Sequence, residues 1–169
     1  MKIPGYITIP ETTEKFIEKG SDYLIIDVRS SDFVGGNIPR AINIPSWDFR
    51  DPKSVTRLIA KEITPRLPEL TLVIFHCMRS QSRGPWCAGL MLNDPTWPKR
   101  VEVKVMRGGY QSWLREHRGN IEYFENLPSE QGKEWLKASQ VEELGVGDNE
   151  EEHSKLIELS KFDSTLSSS

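Results

Sequence analysis

The chain has 169 residues, 37% of them hydrophobic and 28% charged, with a formal net charge of −3. That composition fits one globular domain with a short appendage and excludes collagen-like and wholly disordered chains. No apolar run approaches the ~20 residues of a membrane-spanning helix, so no membrane partner is expected. Residues 1–10 hold one lysine and two prolines and resemble neither a secretory signal nor a transit peptide; a cytoplasmic or nuclear protein is the expectation.

In chain order, residues 6–9 read as a short first strand and residues 12–19 as a helix. Residues 23–28 (YLIIDV) form a near-continuous apolar run, as a strand buried on both faces of a parallel sheet does. Residues 41–44 read as another short strand and residues 54–62 as a helix. Residues 71–75 (TLVIF) form a second buried strand. A helix then starts near Gly84 and stops before Pro95, a strand follows over residues 101–106, and a helix over residues 110–117. Strands alternating with helices predict an α/β fold, a mostly parallel central sheet with helices on both faces.

After Leu127 the composition shifts to Ser, Glu, Gly and Asn, so residues 1–127 are assigned to the domain and 128–169 to an acidic, Ser-rich tail. Residues 139–169 carry eight acids against two lysines, leaving 20 bases and 17 acids for the rest. The remainder is mildly positive, which favours an anionic substrate and gives no broad basic face for nucleic acid. Within the tail Leu156, Leu159 and Phe162 recur at helical spacing behind Ser154, so a solvated segment and a short docking helix are both open.

The run His76-Cys77-Met78-Arg79-Ser80-Gln81-Ser82-Arg83-Gly84-Pro85 carries the chemistry. A buried strand ends in a cysteine, five residues follow, then an arginine, then a Gly-Pro that opens a helix. A loop of that length can turn the backbone N–H groups of Met78, Arg79, Ser80, Gln81, Ser82 and Arg83 inward as an anion nest, and the helix N-terminus adds its dipole. Pro85 loses nothing in a first helical turn. Arg83 offers a planar fork for two oxygens of a tetrahedral anion. A thiol at the centre of such a field gives up its proton easily, which makes Cys77 the candidate nucleophile and Cys77 with Arg83 the candidate catalytic pair.

The other candidates read differently. His76 orients the loop through a hydrogen bond. Asp27 and Arg29 brace the scaffold, and Arg107-Gly108-Gly109 gives a tight turn against the active loop. Cys87, four residues after Arg83, falls on the helix face that points to the core, with a resolving thiol for Cys77 as the alternative. Arg79 turns its side chain outward, toward a phosphopeptide or toward solvent. The five tryptophans are core and rim packing. With two cysteines ten apart and no histidine cluster, neither a zinc site nor a disulfide framework is indicated, and no metal or organic cofactor is expected.

Together with Ile26-Asp27-Val28-Arg29, Gly35-Gly36-Asn37-Ile38-Pro39-Arg40-Ala41-Ile42-Asn43-Ile44-Pro45 and Met106-Arg107-Gly108-Gly109-Tyr110, this run resembles the rhodanese superfamily over roughly residues 8–118. The C-x(5)-R loop looks like the branch of M-phase-inducer-type dual-specificity phosphatases and fungal arsenate reductases, and within it like small single-domain fungal members. Sulfurtransferases of the superfamily have a shorter loop. The resemblance implies a rhodanese-like fold and a thiol-dependent phosphatase that passes through a cysteinyl-phosphate, acting on a phosphorylated protein or a small oxyanion. Its rivals are an arsenate reductase served by glutathione and glutaredoxin, a sulfurtransferase, and a non-catalytic binding module. The chain departs from the cell-cycle phosphatases in having Met78, not a glutamate, after the nucleophile. The loop therefore holds no carboxylate, and Asp32 and Asp48 are left as proton donors to test. It also departs from ordinary tyrosine phosphatases, with Gly84 where a hydroxyl residue follows the loop arginine.

Overall fold

The computed structural model describes residues 1–127. The tail, with Trp135 and the spacing of Leu156, Leu159 and Phe162, lies outside the described residues, as does any test of a boundary at 127. Five strands form one sheet: β1 (Gly5–Ile7), β2 (Tyr23–Asp27), β3 (Ile42–Asn43), β4 (Leu72–His76) and β5 (Glu102–Met106), in the order β1-β5-β4-β2-β3. Every pairing is parallel, with Tyr23 opposite Leu72, Asp27 opposite His76 and Leu72 opposite Glu102. The expectation of a mostly parallel sheet is met.

Helices α1 (Ile9–Glu18), α2 (Pro52–Leu58), α3 (Arg83–Leu92) and α4 (Gly109–His117) cover it. Alternation along the two central strands sorts the core into two layers. Leu24, Ile26, Val28, Val73, Phe75 and Cys77 pack with Val55, Ile59, Cys87 and Met91. Ile25, Leu72 and Ile74 pack on the other side with Ile9, Tyr110, Trp113 and Leu114. Thus α2 and α3 lie on one face and α1 and α4 on the other. Burial on both faces is why these strands read as unbroken apolar runs.

Several boundaries differ from expectation for local reasons. Helix α1 begins at Ile9, not at residue 12, because Thr8 caps it: the Thr8 hydroxyl accepts from the Glu11 N–H at 3.2 Å and donates to the Glu11 carboxylate at 2.9 Å. Strand β1 stops correspondingly at Ile7. Helix α2 begins at Pro52 behind an Asp51 cap whose carboxylate accepts from the Lys53 N–H at 3.1 Å. It does not run on evenly to residue 62. A π-helical turn, Ile59–Ile63, and a 3-10 turn, Thr64–Arg66, follow it. Pro65 has no N–H to continue an α-helical ladder, and the Thr64 N–H instead reaches back five residues to the Ile59 carbonyl. Among the described residues no helix is long and apolar enough to cross a membrane, and no group of three or more His, Cys, Asp or Glu side chains is placed to hold a metal ion.

The connections set the position of the site. After β2 the chain moves outward to β3, and after β4 it moves the other way to β5. The loops leaving the C-terminal ends of β2 and β4 therefore diverge and open a crevice between them, the usual ligand position in a sheet of this kind. The first loop carries Asp32; the second runs from Cys77 to Arg83.

Candidate active site

Cys77 directly follows β4 and is fully buried. The Ser80 N–H donates to Cys77 Sγ at 3.2 Å, and the Cys77 N–H donates to the Ser80 hydroxyl at 3.4 Å. This reciprocal pair folds the loop back over the sulfur, and Ser80 takes the left-handed conformation (φ 57°) to do so. The loop ends where α3 begins: Arg83 is the first helical residue and Pro85 lies in the first turn. Sulfur and helix N-terminus are thereby brought to one spot, as the sequence spacing implied.

The loop side chains divide by exposure. Met78 is buried in the layer beneath α4 and Ser80 is buried in the loop, so Met78 presents backbone rather than side chain to the crevice. Arg79 and Ser82 are half-buried and Gln81 is exposed. The carbonyls of Cys77 and Met78 point away, toward the start of α4. They accept from the Tyr110 N–H at 3.0 Å and the Gln111 N–H at 2.9 Å. Gly109 makes this contact possible: its φ is +60°, and a Cβ there would sit 2.5 Å from the Met78 oxygen and 2.6 Å from that of Cys77. Only glycine fits so close an approach. Arg107 is exposed with its guanidinium over the Tyr6 ring at 4.4 Å, outside the crevice.

Arg83 is fully buried, and its fork engages Asp32: NH1 donates to Oδ1 at 2.8 Å and NH2 to Oδ2 at 2.6 Å. Asp32 also accepts from the Ser30 N–H at 3.0 Å. A carboxylate absent from the loop itself is thus brought to the loop arginine from across the crevice. Asp48, the other acid considered, is exposed on the turn Ser46–Phe49 and has no such contact.

Beneath the loop lies a second polar cluster. Arg29 Nε donates to both Asp27 oxygens at 3.0 Å and NH2 donates to Oδ2 at 2.7 Å. NH1 and NH2 also reach the carbonyls of Val34 (3.3 Å) and Gly36 (2.8 Å), and the guanidinium carbon lies 4.0 Å over the Tyr110 ring. Burial works against the Asp27 charge, but His76 and Arg29 outweigh it and hold the carboxyl below the ordinary aspartate value. The role expected for this pair, bracing the scaffold, matches its contacts.

His76 Nδ1 hydrogen-bonds the Cys77 carbonyl at 3.0 Å. A carbonyl only accepts, so Nδ1 carries the proton. Nε2 lies 3.7 Å from Asp27 Oδ2 with no hydrogen-bond partner. Burial, reinforced by Arg29 and opposed by Asp27, lowers the imidazole below its usual value and keeps it neutral near pH 7. His76 therefore orients the carbonyl of Cys77. Cys87 is buried in the layer that contains Cys77. Burial, with the Cys77 charge adding to it, pushes its thiol well above the ordinary range, which suits a core side chain and leaves little thiolate at neutral pH.

Two features escaped sequence reasoning. The Asp32–Arg83 pair joins residues 51 apart and has no local signal. The closure of α4 on the loop through two backbone N–H groups was visible only as a pair of glycines.

Comparison with known proteins agrees with this architecture. The model of the rhodanese-like domain matches residues 10–116. The CDC25-like phosphatase YCH1 of Saccharomyces cerevisiae is 35% identical over 103 residues, covering 54% of this chain and 65% of that protein. Arsenical-resistance protein 2 of the same yeast is 28% identical over 113 residues, covering 64% of this chain and 87% of that one. Among solved structures, Ygr203w, a yeast protein tyrosine phosphatase of the rhodanese family, superposes with a TM-score of 0.68 at 25% identity, covering 78% of this chain and 99% of that one. The resemblance to the phosphatase and arsenate-reductase branch is therefore borne out. With its parallel sheet, its family match over most of the described residues and these relatives, the chain belongs to the rhodanese-like domain family.

Proposed function

We propose that the chain is a cysteine-dependent phosphatase acting on phosphate monoesters, with Cys77 as nucleophile and Arg83 as the cation that receives the phosphoryl oxygens. The observation that carries this reading is the placement of the Cys77 sulfur. It lies in the crevice at the sheet's switch point, under the Ser80 N–H, with Arg83 opening the next helix. Cys77 Sγ attacks phosphorus and forms an S–P bond as the P–O ester bond breaks. The leaving oxygen takes its proton from water or from the substrate's own phosphate. Water then attacks phosphorus, the S–P bond breaks, and inorganic phosphate leaves with the thiolate restored. Arg83 and the loop N–H groups from Met78 to Arg83 offset the charge spreading over the equatorial oxygens.

Asp32 enters as a positioning residue. One carboxylate held by both NH1 and NH2 fixes the plane of the Arg83 guanidinium before substrate arrives, so less side-chain freedom is lost on binding. A phosphorylated protein is the substrate class that the phosphatase relatives support. A second reading, glutathione-dependent arsenate reduction, is supported by the likeness to arsenical-resistance protein 2 and by the shape that arsenate shares with phosphate. Glutathione and glutaredoxin would then supply the reducing thiols. One side-by-side assay tests both: an aryl phosphate, arsenate with glutathione and glutaredoxin, and thiosulfate with cyanide. Turnover of the aryl phosphate that is lost in Cys77→Ser is expected. Turnover only of arsenate would replace the first reading by the second, and turnover only of thiosulfate would overturn both.

A further inference from the structure

Outside the crevice, the catalytic reading leaves unused an open groove of about 410 Å³ between the turn Ser46–Phe49 and α2, lined by Trp47, Asp48, Arg50, Arg57, Leu58 and Lys61. Three cations face one carboxylate there. Arg50 and Arg57 are exposed, and neither guanidinium has an ion pair among the described residues. Lys61 is 78% exposed, with only Glu62 at 3.9 Å. Trp47 is 39% exposed, an apolar plate beside the cations.

We propose that this groove is the docking site for the chain's own acidic segment, residues 141–152. Charge complementarity supports it first. That segment, VEELGVGDNEEE, holds six acids and no base, and it follows a domain whose excess charge is positive. Its Val141, Leu144 and Val146 supply apolar side chains for Trp47 and Leu58, so both halves of the groove have a counterpart.

The exit of the chain supports it second. Leu127 packs over Gly36, with its Cδ2 2.7 Å from where a Gly36 side chain would begin, and Glu125 bridges to Asn37. The tail thus leaves from the β2–β3 connection, at the C-terminal end of the sheet. The groove starts there too: Ser46, next to Trp47, donates its N–H to the Val28 carbonyl at 3.1 Å and lies with its hydroxyl 3.3 Å from that of Ser30. The fourteen residues from 127 to 141 reach up to ~48 Å when extended, against a radius of gyration of ~14 Å for a domain of this size. A tethered segment needs only weak intrinsic affinity, because its effective concentration is of millimolar order. Docking does not depend on the phosphatase reading; if that reading holds, the seated segment places negative charge beside the crevice and disfavours anionic protein substrates.

Zero-length carbodiimide coupling of the full chain tests this, using an equal mixture of unlabelled and 15N-labelled protein at low salt, with digestion and mass spectrometry. The expected result is an amide between Lys61 and a carboxyl of residues 142–152, both peptides carrying the same isotope. It should form several-fold more than links from the exposed Lys19 or Lys99 to the same segment. It should fall to their level in ~0.5 M salt, where screening shortens the reach of surface charges, and in the double variant Arg50→Glu, Arg57→Glu, whose side chains are exposed and which retains Lys61. Equal coupling to all three lysines at low salt would overturn the proposal. Mixed-isotope links making up about half of the total, the share that random pairing of two copies gives, would overturn it in favour of docking onto a second copy. The salt arm uses the unaltered chain, so it decides the matter even if the double variant folds poorly.

Discussion

Two buried arginine–carboxylate pairs stand one beneath the other at the end of the sheet, and they are built differently. Arg29 follows Asp27, the last residue of β2, by two positions. The guanidinium is closed in by the Val34 and Gly36 carbonyls and the Tyr110 ring, and the two side chains are 0% and 1% exposed. Arg83 and Asp32 come from loops on opposite sides of the crevice, with Asp32 at 7%. The first pair satisfies its hydrogen bonds inside the fold, so it holds the loop after β2 in shape. The second spans the gap where an anion would enter. Similar chemistry thus serves as a fixed clamp in one place and as the support of a binding group in the other.

Changes at the mouth should abolish turnover, with little change in stability for Cys77→Ser and some loss for the Arg83 variants, which leave the buried Asp32 carboxylate without its partner. Cys77→Ser should leave aryl-phosphate hydrolysis at background. Arg83→Lys keeps the charge but loses the planar fork, so it should be nearly as damaging as Arg83→Ala, with turnover lower by a hundredfold or more. Steady-state assays of the three variants check this. A lysine variant retaining most activity would mean that Arg83 contributes only a general field.

Changes in the clamp should do the reverse. Removing one partner of a fully buried pair leaves an uncompensated charge and costs about 3–5 kcal/mol. Arg29→Met is therefore expected to lower the midpoint of urea unfolding strongly, while whatever folded fraction remains keeps its KM for aryl phosphate. A normal unfolding midpoint would show that Asp27 is satisfied without Arg29.

The sequence made some of this legible and concealed the rest for physical reasons. Strands β2 and β4 were readable because burial on both faces demands unbroken apolar runs. The loop was readable because a cysteine, five residues, an arginine and Gly-Pro put nucleophile, cation and helix start within one short stretch. Asp27 and Arg29 were readable because they are close in sequence. The Asp32–Arg83 pair was not, since its partners meet only after three intervening elements have packed. The start of α1 was missed because Ile7, Thr8 and Ile9 look like a strand, although Thr8 and Glu11 carry the cap pattern. The end of α2 was missed because apolar spacing continues through Ile59 and Ile63 while Pro65 changes the hydrogen-bond ladder beneath it.

Asp32→Asn sharpens the comparison with a smaller effect. The isostere keeps the shape and loses the charge that pins both guanidinium nitrogens, so KM for aryl phosphate should rise about tenfold as ordering Arg83 becomes part of binding, with a much smaller loss of stability than Arg29→Met. In an Arg83→Ala background the same change should leave KM alone, since the positioning acts only through Arg83. A KM that falls in Asp32→Asn would mean that the carboxylate competes with the incoming anion.

The smallest expected effect is a pH dependence that separates the clamp from the mouth. His76 is held neutral in the fold by burial and by Arg29, below its usual value. In the unfolded chain it titrates near ~6.5. As pH falls through that value the unfolded chain takes up the proton first, so stability declines until the folded-state value is passed. Asp27 adds to the decline at lower pH: its carboxyl is lowered in the fold, so its contribution is complete above the unfolded value of ~3.9 and is lost as pH drops toward the folded one. The expected melting curve therefore loses stability in two windows on acidification, one beginning near pH 6.5 and one near pH 4. His76→Gln keeps a side-chain donor for the Cys77 carbonyl and cannot titrate, so it should remove the upper window; because the His76 charge helps hold Asp27 low, it should also narrow the lower one. Thermal melts of both proteins from about pH 2 to about pH 8, spanning the unfolded values of ~3.9 and ~6.5, check this. An upper window that persists in His76→Gln would assign it to His117, whose imidazole is also lowered by burial and which stacks on Tyr123 at 4.0 Å, away from the crevice.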